Sequence, residues 1–193
     1  MDLKNKIAVI TGGGNGIGAA LARAFHAQGA KMIVVADVDM AGAKKVADET
    51  GGLAVACDVS VEGEIQALVD RVENDYGAID LFCSNAGIAI SDAPDMGATS
   101  ASNEAWEKCW KINTMAHVYA ARACLPGMIA RGEGYFLHTV SAAGLLSQIG
   151  SATYSVTKHA AVGFGEALAI AHGDQGIKVS LLCPQGVDTA MIA

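Results

Sequence analysis

The chain has 193 residues, of which 52% are apolar and 17% charged. That composition excludes a disordered polymer, and the length can bury a full core without disulfide or metal staples. The formal net charge of −7, with no Lys/Arg cluster, argues against nucleic-acid partners, whose affinity rests on phosphate contacts, and against anionic membrane surfaces.

The apolar run Ile7–Ile10 is followed by glycines, and Ala19–Gln28 has helical composition. Met32–Ala36 is a second apolar run, ending on Asp37, and Ala41–Glu49 reads as a helix. Leu53–Cys57 is predicted as a strand, Glu64–Asp75 as a helix and Leu81–Ser84 as a fourth strand. Ile88–Ser102 is polar, small-residue and irregular, and is expected to be a loop. Glu104–Arg131 has a long helical pattern with an expected break near Pro126 and Gly127. Tyr135–Val140 is a strand, Thr153–His172 a helix and Val179–Cys183 a sixth strand. Strands alternating with helices imply βαβ units and a parallel sheet covered on both faces. The continuously apolar run after Lys31 suits a strand buried on both sides. The expected architecture is an α/β fold, a single Rossmann-like domain over residues 1–193 with a doubly wound parallel sheet.

The five cysteines, Cys57, Cys83, Cys109, Cys124 and Cys183, are odd in number, widely spaced and form no C-x-x-C. Buried thiols in a reducing compartment are the favoured reading; a catalytic cysteine is the lesser alternative. The N-terminus Met-Asp-Leu-Lys-Asn-Lys does not resemble a signal peptide, and no uncharged apolar stretch reaches the length of a membrane span. A soluble, cytoplasmic protein is expected. The five histidines lack metal-ligand spacing, so no metal is expected. Trp106 and Trp110 stand at i and i+4, a helix face meeting core or partner.

Chemistry enters with Thr11-Gly-Gly-Gly-Asn-Gly-Ile-Gly18, between the first strand and the first helix. Glycines let the backbone approach a ligand, and a helix starting there aims free N–H groups and its dipole at a phosphate. Taken alone, such a turn could be only a tight connection. Asp37 tips the balance: it ends the second strand 19 residues after Gly18, where an acid can accept hydrogen bonds from the ribose hydroxyls of NAD. The same carboxylate repels a 2′-phosphate, and no Arg or Lys occurs between Val38 and Ala43 to attract one.

Tyr154-Ser-Val-Thr-Lys158 puts a phenol and an ammonium one helical turn apart, with Ser141 upstream. An ammonium beside a phenol favours the phenolate. A lone Y-x-x-x-K is an ordinary surface pair; its company changes its meaning.

In that company the whole chain resembles the short-chain dehydrogenase/reductase family. The Thr11–Gly18 segment, with Gly12, Asn15, Gly16, Ile17 and Gly18, is similar to the family's cofactor loop. Asp37 matches its NAD-selecting acid, and Asp58, followed by Val59, the residue that approaches adenine. Ser84-Asn85-Ala86-Gly87 resembles the N-N-A-G element, with Ser84 replacing the first Asn. Asn113 falls where the family has an active-site asparagine, and Ser141 precedes Tyr154 by the usual 13 residues. Pro184-Gln-Gly186-Val187-Asp-Thr189 resembles the segment beside the nicotinamide, with Gln185 inserted.

The resemblance implies an NAD-dependent oxidoreductase acting on a small-molecule alcohol or ketone, with Asn113, Ser141, Tyr154 and Lys158 as the catalytic set, Tyr154 and Lys158 also touching the cofactor, and Lys158 hydrogen-bonding the nicotinamide ribose. Asn113 is a poor helix former inside a helical pattern; either it sits at a distortion and holds a water near Lys158, or it is an ordinary bonded Asn. The resemblance also implies a homo-oligomer, dimer or tetramer. Family members usually continue several tens of residues past the Thr189 segment, so a fold lacking its last strand and substrate-covering loop is expected. Two rivals remain at this point: a non-catalytic NAD-binding or scaffold protein on the same fold, and an NADPH-dependent reductase, which Asp37 disfavours.

Overall fold

The computed structural model describes residues 1–94 and 97–189. Among the described residues six strands form one parallel sheet: β1 (Ile7–Thr11), β2 (Met32–Asp37), β3 (Leu53–Ala56), β4 (Leu81–Ser84), β5 (Gly134–Thr139) and β6 (Ile177–Leu182). Their order is β3-β2-β1-β4-β5-β6, with every adjacent pair parallel. The chain winds outward from β1 in one direction and then from β4 in the other. The crevice at that reversal, beyond the carboxyl ends of the strands, is where such sheets take ligands.

Two cores cover the sheet. Alternate β1 residues divide between them: Ile7 and Val9 join one, Ala8 and Ile10 the other. The first core packs α3 (Glu62–Asp75), α5 (Ala116–Arg131) and α6 (Ala152–His172) around Phe82 and Phe136. The second packs α1 (Gly16–Ala27) and α2 (Met40–Thr50) through small residues such as Ala19, Ala22, Ala43 and Ala47. Burial on both faces explains why β1 and β2 are apolar without alternation. The α2 helix is closed at both ends, by the Asp39 carboxylate accepting the Ala41 N–H and by Gly51 at φ 60°.

The predicted strands and helices stand in their expected order, with one relocated break. The helical pattern over 104–131 divides into α4 (Asn103–Trp110), a π-helical turn (Lys111–Met115) and α5. The break is therefore at 111–115, and not near Pro126 and Gly127 as expected from the sequence. Pro126 lies inside α5. Its missing N–H forfeits one helical bond, but the helix must continue to bring Met128 into the core, where it is fully buried against Gly134. Ile88–Ser102 holds only a short 3₁₀ turn at Gly97–Thr99 among its described residues, with 95 and 96 outside them. Of the tryptophan pair, Trp110 is exposed. Among the described residues no helix is long and apolar enough to cross a membrane.

Candidate active site

The carboxyl ends of the strands open into a cleft of about 720 Å³. At its centre lies the turn from Thr11 into α1. Gly12 has φ +61° and presses on β4's exit: a Cβ there would stand 2.8 Å from the Ala86 Cα. Gly18, in the first turn of α1, packs against the Gly12 carbonyl so closely that a Cβ would overlap its oxygen. The helix starts without a side-chain cap, since Asn15 makes no capping hydrogen bond, and its first turn carries no acid. Its first N–H groups are thus suited to an external anion. Asn15, Gly16 and Ile17 line the cleft; Gly18 does not, and its part is to let the turn close.

Asp37 marks one end. It is 7% exposed, and its two carboxylate oxygens accept the N–H groups of Gly14 at 2.9 Å and Asp39 at 3.0 Å. Each oxygen keeps acceptor capacity, and the residue lines the cleft beside Asp58 and Val59. The Asp58 carboxylate accepts the Ser60 N–H at 2.9 Å.

Asn85 clamps the glycine turn from β4. Its Nδ2 donates to the carbonyls of Thr11 and Gly12, both at 3.1 Å, and its N–H donates to the Thr11 hydroxyl at 3.0 Å. Ala86 and Gly87 continue the wall.

The other end gathers Ser141, Tyr154 and Lys158, all of which line the cleft. Ser141 follows β5; its Oγ accepts the Ala143 N–H at 3.1 Å, leaving its own hydrogen free to donate. Tyr154 and Lys158 share one face of α6, with the Lys158 Nζ 5.5 Å from the tyrosine ring centroid. Lys158 is 2% exposed and donates to the Thr139 carbonyl at 3.1 Å. Burial pushes its ammonium down to about 8, opposed by the nearby Cys183. Pro184, Gly186, Val187 and Thr189 close the remaining side, with the Thr189 methyl against Gly16.

Asn113 does not line the cleft. It is fully buried in the π-helical turn, and its amide is spent on protein. Oδ1 accepts the Ile88 N–H, while Nδ2 donates to the Ile88 carbonyl and the Thr157 hydroxyl, at 2.9, 2.9 and 3.1 Å. It still stands close to the lysine: a Cβ on Gly87 would be 3.3 Å from both the Asn113 Oδ1 and the Lys158 Nζ.

Four of the five cysteines are buried and all are free. Burial pushes the thiols of Cys57, Cys83 and Cys124 up, which makes them poor nucleophiles. Among the described residues no group of three or more His, Cys, Asp or Glu could hold a metal ion.

Sequence reading gave no role to Thr11, whose hydroxyl joins β1 to Asn85, or to Thr157, which seats Asn113. Thr157 had a signal: threonine is a weak helix former, yet it lies inside the Tyr154–Lys158 turn. Asp92 was also missed; its partners are 60 residues away.

A family model described as short chain dehydrogenase matches residues 6–193. A protein from Euphorbia lathyris named short chain aldehyde dehydrogenase 1 is 36% identical over 99% of this chain and 67% of its own length. A meso-2,3-butanediol dehydrogenase from Serratia marcescens is 32% identical over 99% of this chain and 75% of its own. The crystal structure of a short chain dehydrogenase/reductase from Burkholderia phymatum in complex with NAD superposes with a TM-score of 0.92 at 31% identity, covering 99% of this chain and 69% of that one. The glycine turn, the strand order and these matches together place the chain in the short-chain dehydrogenase/reductase family of oxidoreductases.

Proposed function

We propose that the protein transfers a hydride between NAD(H) and the CH–OH or C=O carbon of a small alcohol or ketone. The observation that carries this reading is one continuous cleft. The glycine turn and Asp37 line one part of it, and Ser141, Tyr154 and Lys158 another. The uncapped start of α1 suits the pyrophosphate, and the Asp37 carboxylate suits ribose hydroxyls and disfavours a 2′-phosphate. When bound, the nicotinamide supplies or takes up the hydride.

The chain's own residues handle the proton and the developing charge. In reduction, the Tyr154 phenol donates its proton to the substrate oxygen; in oxidation, the phenolate takes it back. The Ser141 hydroxyl donates a hydrogen bond to the same oxygen as negative charge builds on it. Lys158 spends one N–H on Thr139, which anchors it. Its other donors would hold the nicotinamide ribose when the cofactor is bound, and its ammonium, 5.5 Å from the Tyr154 ring centroid, places positive charge beside the phenol that exchanges the proton. Asn113 acts through position, holding Ile88 and the Thr157 turn around that lysine.

Incubating the protein with NAD+ and a panel of secondary alcohols, followed by NADH absorbance, tests the reaction. NADH formation with at least one alcohol is expected. Binding of NAD without turnover across a broad panel would favour a non-catalytic binder. Asp37→Ala should weaken NAD about tenfold, the loss of a hydrogen bond to a charged group, and narrow the preference over NADP. Titration of both cofactors measures this; NAD affinity equal to the parent's would remove the ribose contact from the scheme.

A further inference from the structure

The α6 helix, which carries Tyr154 and Lys158, is not capped by its own sequence. Ser151 stands at its N-cap but makes no capping bond. Its hydroxyl instead donates to the Ile90 carbonyl at 2.6 Å. The cap comes from the segment after β4: the Asp92 carboxylate accepts the Ala152 N–H with both oxygens at 3.1 Å. The Asp92 N–H in turn donates to the Gly150 carbonyl at 2.8 Å.

These bonds belong to a longer strap. Alternate residues of 88–92 are each pinned. Ile88 is held by the Asn113 amide on both its N–H and its carbonyl. The Ile90 carbonyl takes the hydroxyls of Ser151 and, at 3.5 Å, Thr153. Asp92 closes on Ala152. The strap therefore joins the π-helical turn to the first turn of α6, and Ile88 and Ala89 on its way line the cleft. Tyr154 lies two residues beyond the capped amide. A helix end held by its own cap is fixed only to itself; one held by a distant carboxylate is fixed in height and rotation relative to the cleft wall. Reaction geometry is sensitive to such placement, with a 1 Å error worth up to about 100-fold in rate.

We propose that Asp92 is a positioning residue for the reaction: by capping α6 from the 88–92 strap, it sets where the Tyr154 hydroxyl stands in the cleft. This rests on the hydride-transfer reading above, and the test separates the two. Asp92→Ala removes the cap; Asp92→Asn keeps a side-chain oxygen that can accept the Ala152 N–H. With an alcohol the parent oxidises, Asp92→Ala should lower kcat about 10-fold or more while the KM for NAD stays within about twofold, because the glycine turn and Asp37 are untouched and Lys158 keeps its separate anchor on the Thr139 carbonyl. Asp92→Asn should recover most of kcat. The tyrosine ring NMR signals supply a readout that needs no turnover. The Tyr154 signal, assigned by its disappearance in Tyr154→Phe, should shift and broaden in Asp92→Ala and return towards the parent position in Asp92→Asn.

If the parent oxidises nothing, the hydride-transfer reading fails and the ring signal alone decides the positioning. An unmoved Tyr154 signal in a folded Asp92→Ala protein overturns the proposal. So does a kcat equal to the parent's, or a loss that Asp92→Asn shares in full.

Discussion

Tyr154→Phe is expected to lower turnover by on the order of 10²–10⁴-fold, the range a positioned acid–base group supplies, with NAD affinity within about twofold of the parent. The change removes one oxygen from a side chain that is 8% exposed. The ring can keep its place in α6, and Lys158 keeps its bond to Thr139. None of the surfaces proposed for the cofactor's pyrophosphate or adenosine half is touched. The loss corresponds to roughly 3–5 kcal/mol of transition-state stabilisation, well beyond a neutral hydrogen bond and appropriate to a missing proton donor. Steady-state rates with NAD+ and an alcohol, paired with an NAD titration, separate the two effects. Turnover near the parent's would take the proton from Tyr154, whereas loss of NAD binding would mean that the phenol holds the cofactor.

Much of this site is legible in the sequence because its signals are local. The glycine turn needs small residues over a few consecutive positions, and Gly12 and Gly18 are small because Ala86 and the Gly12 carbonyl leave no room. Tyr154 and Lys158 face the same way because a helix brings i and i+4 together. The strands were legible because a sheet buried on both faces cannot alternate. What escaped was long-range. Asp92 has no neighbour in sequence that marks it as a cap, since the helix it closes begins 60 residues later. The helix break went to Pro126 because proline is the familiar breaker, whereas the insertion at 111–115 follows from seating Asn113 against Ile88 and Thr157. Those partners come from β4's exit and from α6, so only the folded chain reveals them. The same limit applies to Gly18: its spacing marked it as part of the cofactor loop, but its contact is with the loop itself.

His117 and His138 lead to the second large effect, on stability in acid. The two rings, from α5 and β5, face each other in the core at 4.5 Å between centroids. Phe164 stacks on His138 at 5.9 Å, and Phe136 meets it edge-on at 6.1 Å. Both histidines are fully buried, and among the described residues no ring nitrogen of either has a hydrogen-bond partner of good geometry, although the Asn113 backbone near His117 partly opposes the downward push on that ring. Burial pushes both titrations down, the Lys158 charge adds to it, and for His117 the neighbouring imidazole does too. His138 is held down to about 4 from an ordinary 6.5. Above the ordinary value both rings are neutral whether the chain is folded or not, and pH has no leverage through them. As pH falls below about 6.5 the unfolded chain takes up protons that the folded one refuses, so stability falls. For His138 alone the loss reaches on the order of 3 kcal/mol by about pH 4, and His117 adds to it in the same direction. Urea unfolding at about pH 7 and about pH 4.5 should show this as a lower midpoint in acid. A His117→Leu, His138→Phe double variant keeps an apolar, ring-stacked core and should lose most of the difference between the two conditions. An equally steep acid dependence in that variant would assign the instability to other groups and leave the pair as packing.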